Sequence, residues 1–202
     1  MREPLRAAID VAILVPEVVG ASARDINAVL ARGREKPLRL DATHLPHLTL
    51  AQQFVERRRL DDLYTELDRV LRHEPVLRLR VSGIAVEDGT VMFTVDCVPD
   101  LQRVHELVME TLQPFEAPEG ASDAFARNGE TIRPGDIDWV RSYRERSAYT
   151  HYRPHVTLGH GPVPPAAAPI EFCGETVAVC HLGRFCTCRA ILRAWTLGSR
   201  HS

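Results

Sequence analysis

Two stretches, Pro46-His47-Leu48-Thr49-Leu50 and Pro154-His155-Val156-Thr157-Leu158, share a pattern that decides how the chain is organised. Each sets a histidine and a threonine two residues apart, with aliphatic residues between and after them. Side chains alternate across a strand, so His47 and Thr49 share one face and Leu48 and Leu50 the other. The same alternation sets His155 and Thr157 against Val156 and Leu158. One such strand says little, because a strand histidine beside a hydrogen-bonded threonine is an ordinary structural arrangement. Two of them, each behind a proline, predict a duplicated unit that gathers two imidazoles and two hydroxyls.

The flanking sequence supplies a frame for that unit. Ala7 to Val15 alternates as a strand that Pro16 ends, and Ser22 is the expected N-cap of a helix carrying Ile26, Val29 and Leu30 inward. The first His-Thr strand runs from His47 to Val55. Leu60, Leu63, Leu67, Val70 and Leu71 then recur at helical spacing up to Pro75. Val76 to Val86 and Thr90 to Val98 read as a hairpin around Asp88-Gly89, and Asp100 as the cap of a helix stopped by Pro114. Glu116 to Pro134 reads as an irregular loop and Asp136 to Arg146 as a short helix. The second His-Thr strand spans Tyr152 to His160, a Pro/Ala connector spans Pro162 to Pro169, and strands at Thr176 to His181 and Phe185 to Leu197 close the chain. Hairpin neighbours rather than strict βαβ alternation predict an α+β fold with antiparallel or mixed sheets.

Bulk properties narrow the function. The chain has 202 residues, 45% hydrophobic and 26% charged, with a formal net charge of −2, so a surface that coats long duplex nucleic acid is not expected. A small anion held in a local pocket fits. Lys36 is the only lysine among the cations. Glu3 and Asp10 interrupt the first apolar run, so neither an export signal nor a membrane span is expected. Five cysteines, four of them between Cys173 and Cys188, then read as reduced thiols of a cytoplasmic protein.

Two histidines facing one cleft make a matched acid and base near neutrality, since imidazole titrates around pKa ~6.5. One can take a proton from water while the other gives one to a departing oxygen, and the threonine hydroxyls can donate to phosphate oxygens. This chemistry needs no metal or other cofactor. A zinc site built from His44, His47, His151, His155, His160 or His181 is the rival, but both regions read as strand or turn and no acidic partner stands at a helical ligand spacing. Cys173, Cys180, Cys186 and Cys188 lack paired C-x-x-C spacing.

His47-Leu48-Thr49-Leu50 and His155-Val156-Thr157-Leu158 resemble the paired His-x-Thr/Ser-x motifs of the two-histidine (2H) phosphoesterase superfamily, which includes 2′-5′ RNA ligase-like proteins and 2′,3′-cyclic phosphodiesterases. The resemblance implies one bilobal domain over 1–202, with pseudo-two-fold symmetry around a central cleft. The chain departs from the family in the long segment between its motifs, which reads as an inserted lid or substrate loop with a short helix at about 116–150. It implies a phosphodiesterase of 2′,3′-cyclic or 2′-5′ bonds in small nucleotides or short RNA ends, with His47 and His155 catalytic and Thr49 and Thr157 binding phosphate. A phosphate-binding module without catalysis is the alternative. Tyr152 and Arg153 are candidates to stack on a base or hold phosphate, Phe185 to stack, and His44 to line the rim; for each, ordinary packing or solvation reads as well. Arg133, Arg141, Arg144 and Arg146 either make the insertion basic or form the solvated face of its helix. Oligomeric state has no signature in the sequence.

Overall fold

The computed structural model describes residues 4–126, 129–161 and 167–198. Among the described residues, eight strands form two antiparallel four-stranded sheets. The first holds β1 (Arg6–Leu14), β2 (His47–Glu56), β7 (Thr176–Leu182) and β8 (Cys188–Thr196), in the order β2-β1-β7-β8. The second holds β3 (Leu77–Glu87), β4 (Thr90–Val95), β5 (His155–His160) and β6 (Ile170–Gly174), in the order β5-β4-β3-β6. Both motif strands, β2 and β5, are therefore edge strands, and the two edges adjoin each other. The fold is α+β, as the strand and helix pattern predicts, and two-lobed, as the family resemblance implies.

Helices cross between the lobes. α1 (Glu17–Leu30) follows β1 of the first sheet but packs on β5 and β6 of the second. α3 (Pro99–Leu112) follows β4 of the second sheet but packs on β2 of the first. α2 (Leu60–Leu71) lies beside α3 and β8, and α4 (Pro134–Ser147) lies on β2. Ile9, Val11 and Ile13 of β1 meet Val81, Phe93, Val156 and Leu158 of the other sheet in one shared core. The hydrophobic effect that closes each lobe thus also joins them.

Several boundaries differ from the sequence expectation. α1 begins at Glu17, because Pro16 stays extended at φ −67° and ψ 164° and the chain turns helical immediately after it. Ser22 is consequently inside the helix and caps nothing. The buried stripe is Val19, Ala23, Asn27 and Leu30, whereas Val29 is exposed. α3 opens with Pro99 in its first turn, and its N-terminus receives no capping side chain from Asp100. β5 starts at His155, three residues later than read, since Tyr149–His151 form a short 3-10 turn. β6 has no counterpart in the sequence reading; the connector anticipated before it falls partly at 162–166, outside the described residues. No helix among the described residues is long and apolar enough to cross a membrane.

The segment at 116–150 braces the first lobe. Ala117 donates its N–H to the Phe54 carbonyl at 2.8 Å, and Phe125 meets Phe54 edge-on at 5.9 Å. With Val140 and Ala8 they form a small second core, roofing the far half of the face that carries His47 and Thr49.

Candidate active site

A slip in strand register shapes each motif. On β2, Thr49 pairs with Ala12 of β1, but the next pair is Ala51 with Val11, so Leu50 is the extra residue of a bulge. On β5, Thr157 pairs with Met92 of β4 and Gly159 with Val91, so Leu158 is the extra residue. Each slip flips the alternation once. Gln52 is thereby brought to the face of His47 and Thr49, opposite Asp10, and His160 to the face of His155 and Thr157, opposite Thr90.

A buried polar side chain from the crossing helix catches the carbonyl of each bulge. His105 of α3 donates Nδ1–H to the Leu50 carbonyl at 2.6 Å, and its Nε2 accepts the Tyr149 N–H at 2.8 Å. Asn27 of α1 donates to the Leu158 carbonyl at 2.7 Å and to Leu38 at 3.0 Å, and accepts from the Leu40 N–H at 2.8 Å. Gly159 sits in the second bulge at φ +141°, and a Cβ there would stand 3.2 Å from the Asn27 Nδ2. Glycine is what allows the helix this close.

The two imidazoles are oriented alike. His47 donates Nδ1–H to the Leu45 carbonyl at 2.7 Å, and His155 donates Nδ1–H to the Arg153 carbonyl at 2.8 Å. In both rings Nε2 is the nitrogen left for chemistry. Their surroundings differ. The carboxylate of Asp10, fully buried on β1, places Oδ2 3.4 Å from His47 Nε2. Burial alone would lower the His47 pKa, but the contact and charge of Asp10 outweigh it and the pKa is raised. For His155 burial acts first, the nearby His47 charge adds to it, and the pKa is lowered.

Asp10 is the functional candidate that motif reading misses. Its Oδ2 also accepts from Thr49 Oγ1 at 2.8 Å and Gln52 Nε2 at 2.7 Å. An acidic residue in the middle of Ala7-Ala8-Ile9-Asp10-Val11-Ala12-Ile13 was the available signal, since charges are rarely fully buried without a partner. The Thr49 hydroxyl therefore points its proton at Asp10. Thr157 has no such carboxylate, and its hydroxyl has no partner among the described residues.

The flanking candidates fall into different places. Tyr152 is buried, donates its hydroxyl to the Thr49 carbonyl at 2.9 Å and stacks on His105 at 3.8 Å. It ties the two lobes together rather than offering its ring to a ligand. Arg153 is exposed beside the motif. His44 is buried, with Nδ1 3.3 Å from Asp41 and Nε2 3.4 Å from Glu130, which fixes it as part of the turn before β2. Phe185 has guanidinium groups over its ring, Arg133 at 4.1 Å and Arg184 at 4.5 Å, so it does not present a free stacking face. Arg141 and Arg144 pair with Asp138 and Glu116.

Among possible metal donors, the ligand atoms of Asp10, His47 and Cys188 lie within 4.8 Å of one another. Burial and the neighbouring Cys180 push the Cys188 thiol well above its ordinary pKa, which disfavours the thiolate a metal would want. His181, the sixth histidine of the rival zinc set, donates to the Ala124 carbonyl at 2.8 Å. A cavity of about 510 Å³ lies around Glu56, Arg58 and Arg59, at the end of β2 opposite His47.

A family model described as the 2′-5′ RNA ligase superfamily matches residues 20–173. Solved structures share the fold over nearly the whole chain. TT0787 of Thermus thermophilus is 18% identical with a TM-score of 0.61, covering 96% of this chain and 100% of its own. E. coli LigT complexed with 3′-AMP is 15% identical with a TM-score of 0.58, covering 96% and 99%. LigT has also been solved with ATP and with NADP+. No curated protein matches by sequence.

Proposed function

Because the chain belongs to the 2′-5′ RNA ligase superfamily, within the two-histidine phosphoesterases, we propose that it hydrolyses 2′,3′-cyclic phosphate or 2′-5′ phosphodiester bonds of nucleotides or RNA ends without a metal. The observation that carries this reading is geometric: two imidazoles on adjoining edge strands, each tied through Nδ1 to a backbone carbonyl, with the Asp10 carboxylate 3.4 Å from His47 alone. This setting raises the His47 pKa while burial lowers that of His155. Groups pushed apart in this way divide acid and base roles between them.

On a 2′,3′-cyclic phosphate, His155 Nε2 takes a proton from water as the water oxygen bonds to phosphorus. His47 Nε2–H gives its proton to the ribose oxygen as the P–O bond breaks, leaving a phosphate monoester. At 3.4 Å, and with Oδ2 already accepting from Thr49 and Gln52, Asp10 supplies charge to His47 without holding its proton tightly. The Thr157 hydroxyl is placed to donate to a non-bridging oxygen, and Thr49 serves chiefly by holding Asp10. Nucleotide ligands of LigT support a nucleotide-sized occupant. We take 1–202 as one bilobal domain in which 116–150 is an insertion that roofs the His47 face.

The test is turnover of 2′,3′-cyclic nucleotides and 2′-5′ oligonucleotides in EDTA by wild type, His47→Ala and His155→Ala. Each substitution is expected to lower kcat by roughly 10²–10⁴. Activity that survives both would overturn the mechanism, and tight binding with no turnover by wild type would leave a binding module instead.

A further inference from the structure

The cleft continues past the motif on β5. The register slip that turns His160 onto the His155 face also sets its ring in the wall of a cavity of about 290 Å³. Cations dominate that wall. Arg34 and Lys36 come from the turn after α1, Arg133 from the start of α4 and Arg184 from the β7–β8 connection, against one lining carboxylate, Glu35. Arg133 is shared with Asp136, at 3.0 Å from Nε to Oδ1. Arg34, Lys36 and Arg184 have no carboxylate partner among the described residues.

Phe185 organises this cluster. Arg133 and Arg184 both lie over its ring, and the His160 ring is 5.3 Å away. Holding the cations there requires unfavourable backbone. Lys36 (φ +48°), Phe185 (φ +62°) and Cys186 (φ +52°) all occupy the left-handed region, at a cost of about 1 kcal/mol or more each for such side chains. Like charges gathered in one concavity repel, and a multiply charged anion is the chemistry that relieves them.

We propose that this cavity is a second phosphate subsite, taking a phosphate of the substrate other than the one that reacts between His47 and His155. The inference rests on the phosphoesterase reading only in assuming that one ligand spans both places. Thr157 and His160 are three residues apart on β5, so the second phosphate lies roughly 10 Å from the first or closer. A phosphate on the 5′ side of the same nucleoside or one further along a strand can cover that span. A nucleoside cyclic phosphate with no second phosphate would leave the cavity unfilled.

The test compares three probes: adenosine 2′,3′-cyclic phosphate, the same compound with a 5′-phosphate, and a trinucleotide ending in a 2′,3′-cyclic phosphate. Wild type is expected to favour at least one of the two probes with additional phosphates by about tenfold in kcat/KM, mostly through KM. Which one is favoured distinguishes the 5′-phosphate from the strand. The Arg34→Gln/Lys36→Gln double variant should abolish the preference and leave turnover of the plain probe unchanged. Equal kcat/KM on all three probes, or a preference that survives the double variant, would overturn the subsite.

A second readout does not depend on turnover. Lys36 is the only lysine, so an amine-reactive reagent labels it and the terminal amine alone. A trinucleotide 3′-phosphate should slow labelling of Lys36, and Arg184→Gln should remove the protection. Unprotected Lys36 at saturating trinucleotide would also sink the proposal. If Lys36 is protected while no cyclic phosphate is hydrolysed, the phosphoesterase reading fails and the subsite stands.

Discussion

Across from the first motif strand, β1 places Leu14 opposite His47, Ala12 opposite Thr49 and Asp10 opposite Gln52. Across from the second, β4 places Thr94 opposite His155, Met92 opposite Thr157 and Thr90 opposite His160. The two lobes thus repeat the motif, the bulge and the helix that catches the bulge carbonyl, and differ in what faces the third polar position. The first lobe holds a buried carboxylate there, under the roof of the 116–150 segment. The second holds a threonine and opens toward the cationic cavity. Duplicated geometry supplies two equivalent imidazoles, and this one difference makes them inequivalent.

The harshest way to break the comparison is to delete one imidazole at a time. His47→Ala and His155→Ala should each cost roughly 10²–10⁴ in kcat, since neither lobe can serve as both acid and base. With a substrate whose leaving group needs no proton, such as a p-nitrophenyl phosphodiester, His47→Ala should recover most of its loss and His155→Ala should not. Equal recovery by both variants would reverse or erase the division of roles.

The next comparison is between the two bulge clamps. Asn27→Ala leaves the Leu158 and Leu38 carbonyls and the Leu40 N–H without their partner, all of them buried. Each orphaned group costs about 1–3 kcal/mol, and neighbouring losses are not additive, so a destabilisation of about 3 kcal/mol is expected in urea unfolding. His105→Ala removes partners of Leu50 and Tyr149 and the ring on which Tyr152 stacks, and it should be at least as damaging. A loss below about 1 kcal/mol in either variant would mean that the bulge does not need its clamp.

The threonines test the site more gently. Thr157→Val removes a hydroxyl available to phosphate and should raise KM by about 2 kcal/mol of lost binding, the scale of a hydrogen bond to a charged group. Thr49→Val removes a donor to Asp10 instead, and should leave KM nearly unchanged while altering the pH profile. Matching KM effects would show that both hydroxyls meet phosphate.

How much of this was legible in the sequence depends on the range of the signal. Periodicity revealed every described strand but β6, the main helices and the Asp88-Gly89 turn, because each is local. The His-Thr pairs were legible because their faces follow from alternation alone. The bulges were not, since a register slip exists only between two strands, and with them the faces of Gln52 and His160 stayed hidden, because strict alternation would reverse both. Asn27 and His105 carry no local signal of their role, which depends on carbonyls that only the bulges free. Phe185 stands at the terminal turn in sequence and structure alike, but its cover of arginines depends on a left-handed backbone that no local pattern announces.

The smallest expected effect bears most directly on the difference between the lobes. Catalysis by the proposed route requires neutral His155 and protonated His47, so activity should rise with pH as His155 loses its proton and fall as His47 loses its own. The rising limb should lie below the ordinary histidine value of ~6.5, because burial and the His47 charge lower the His155 pKa. The falling limb should lie above it, because Asp10 outweighs burial at His47. Asp10→Asn keeps the shape of the side chain and removes the charge that raises the His47 pKa. Burial then acts unopposed by that charge, and the falling limb should move to lower pH. The variant should lose most activity on the alkaline side, where wild-type His47 still holds its proton, while the rising limb shifts far less. A falling limb that stays in place would show that the asymmetry between the imidazoles has another source, and that the carboxylate in the first lobe serves packing alone.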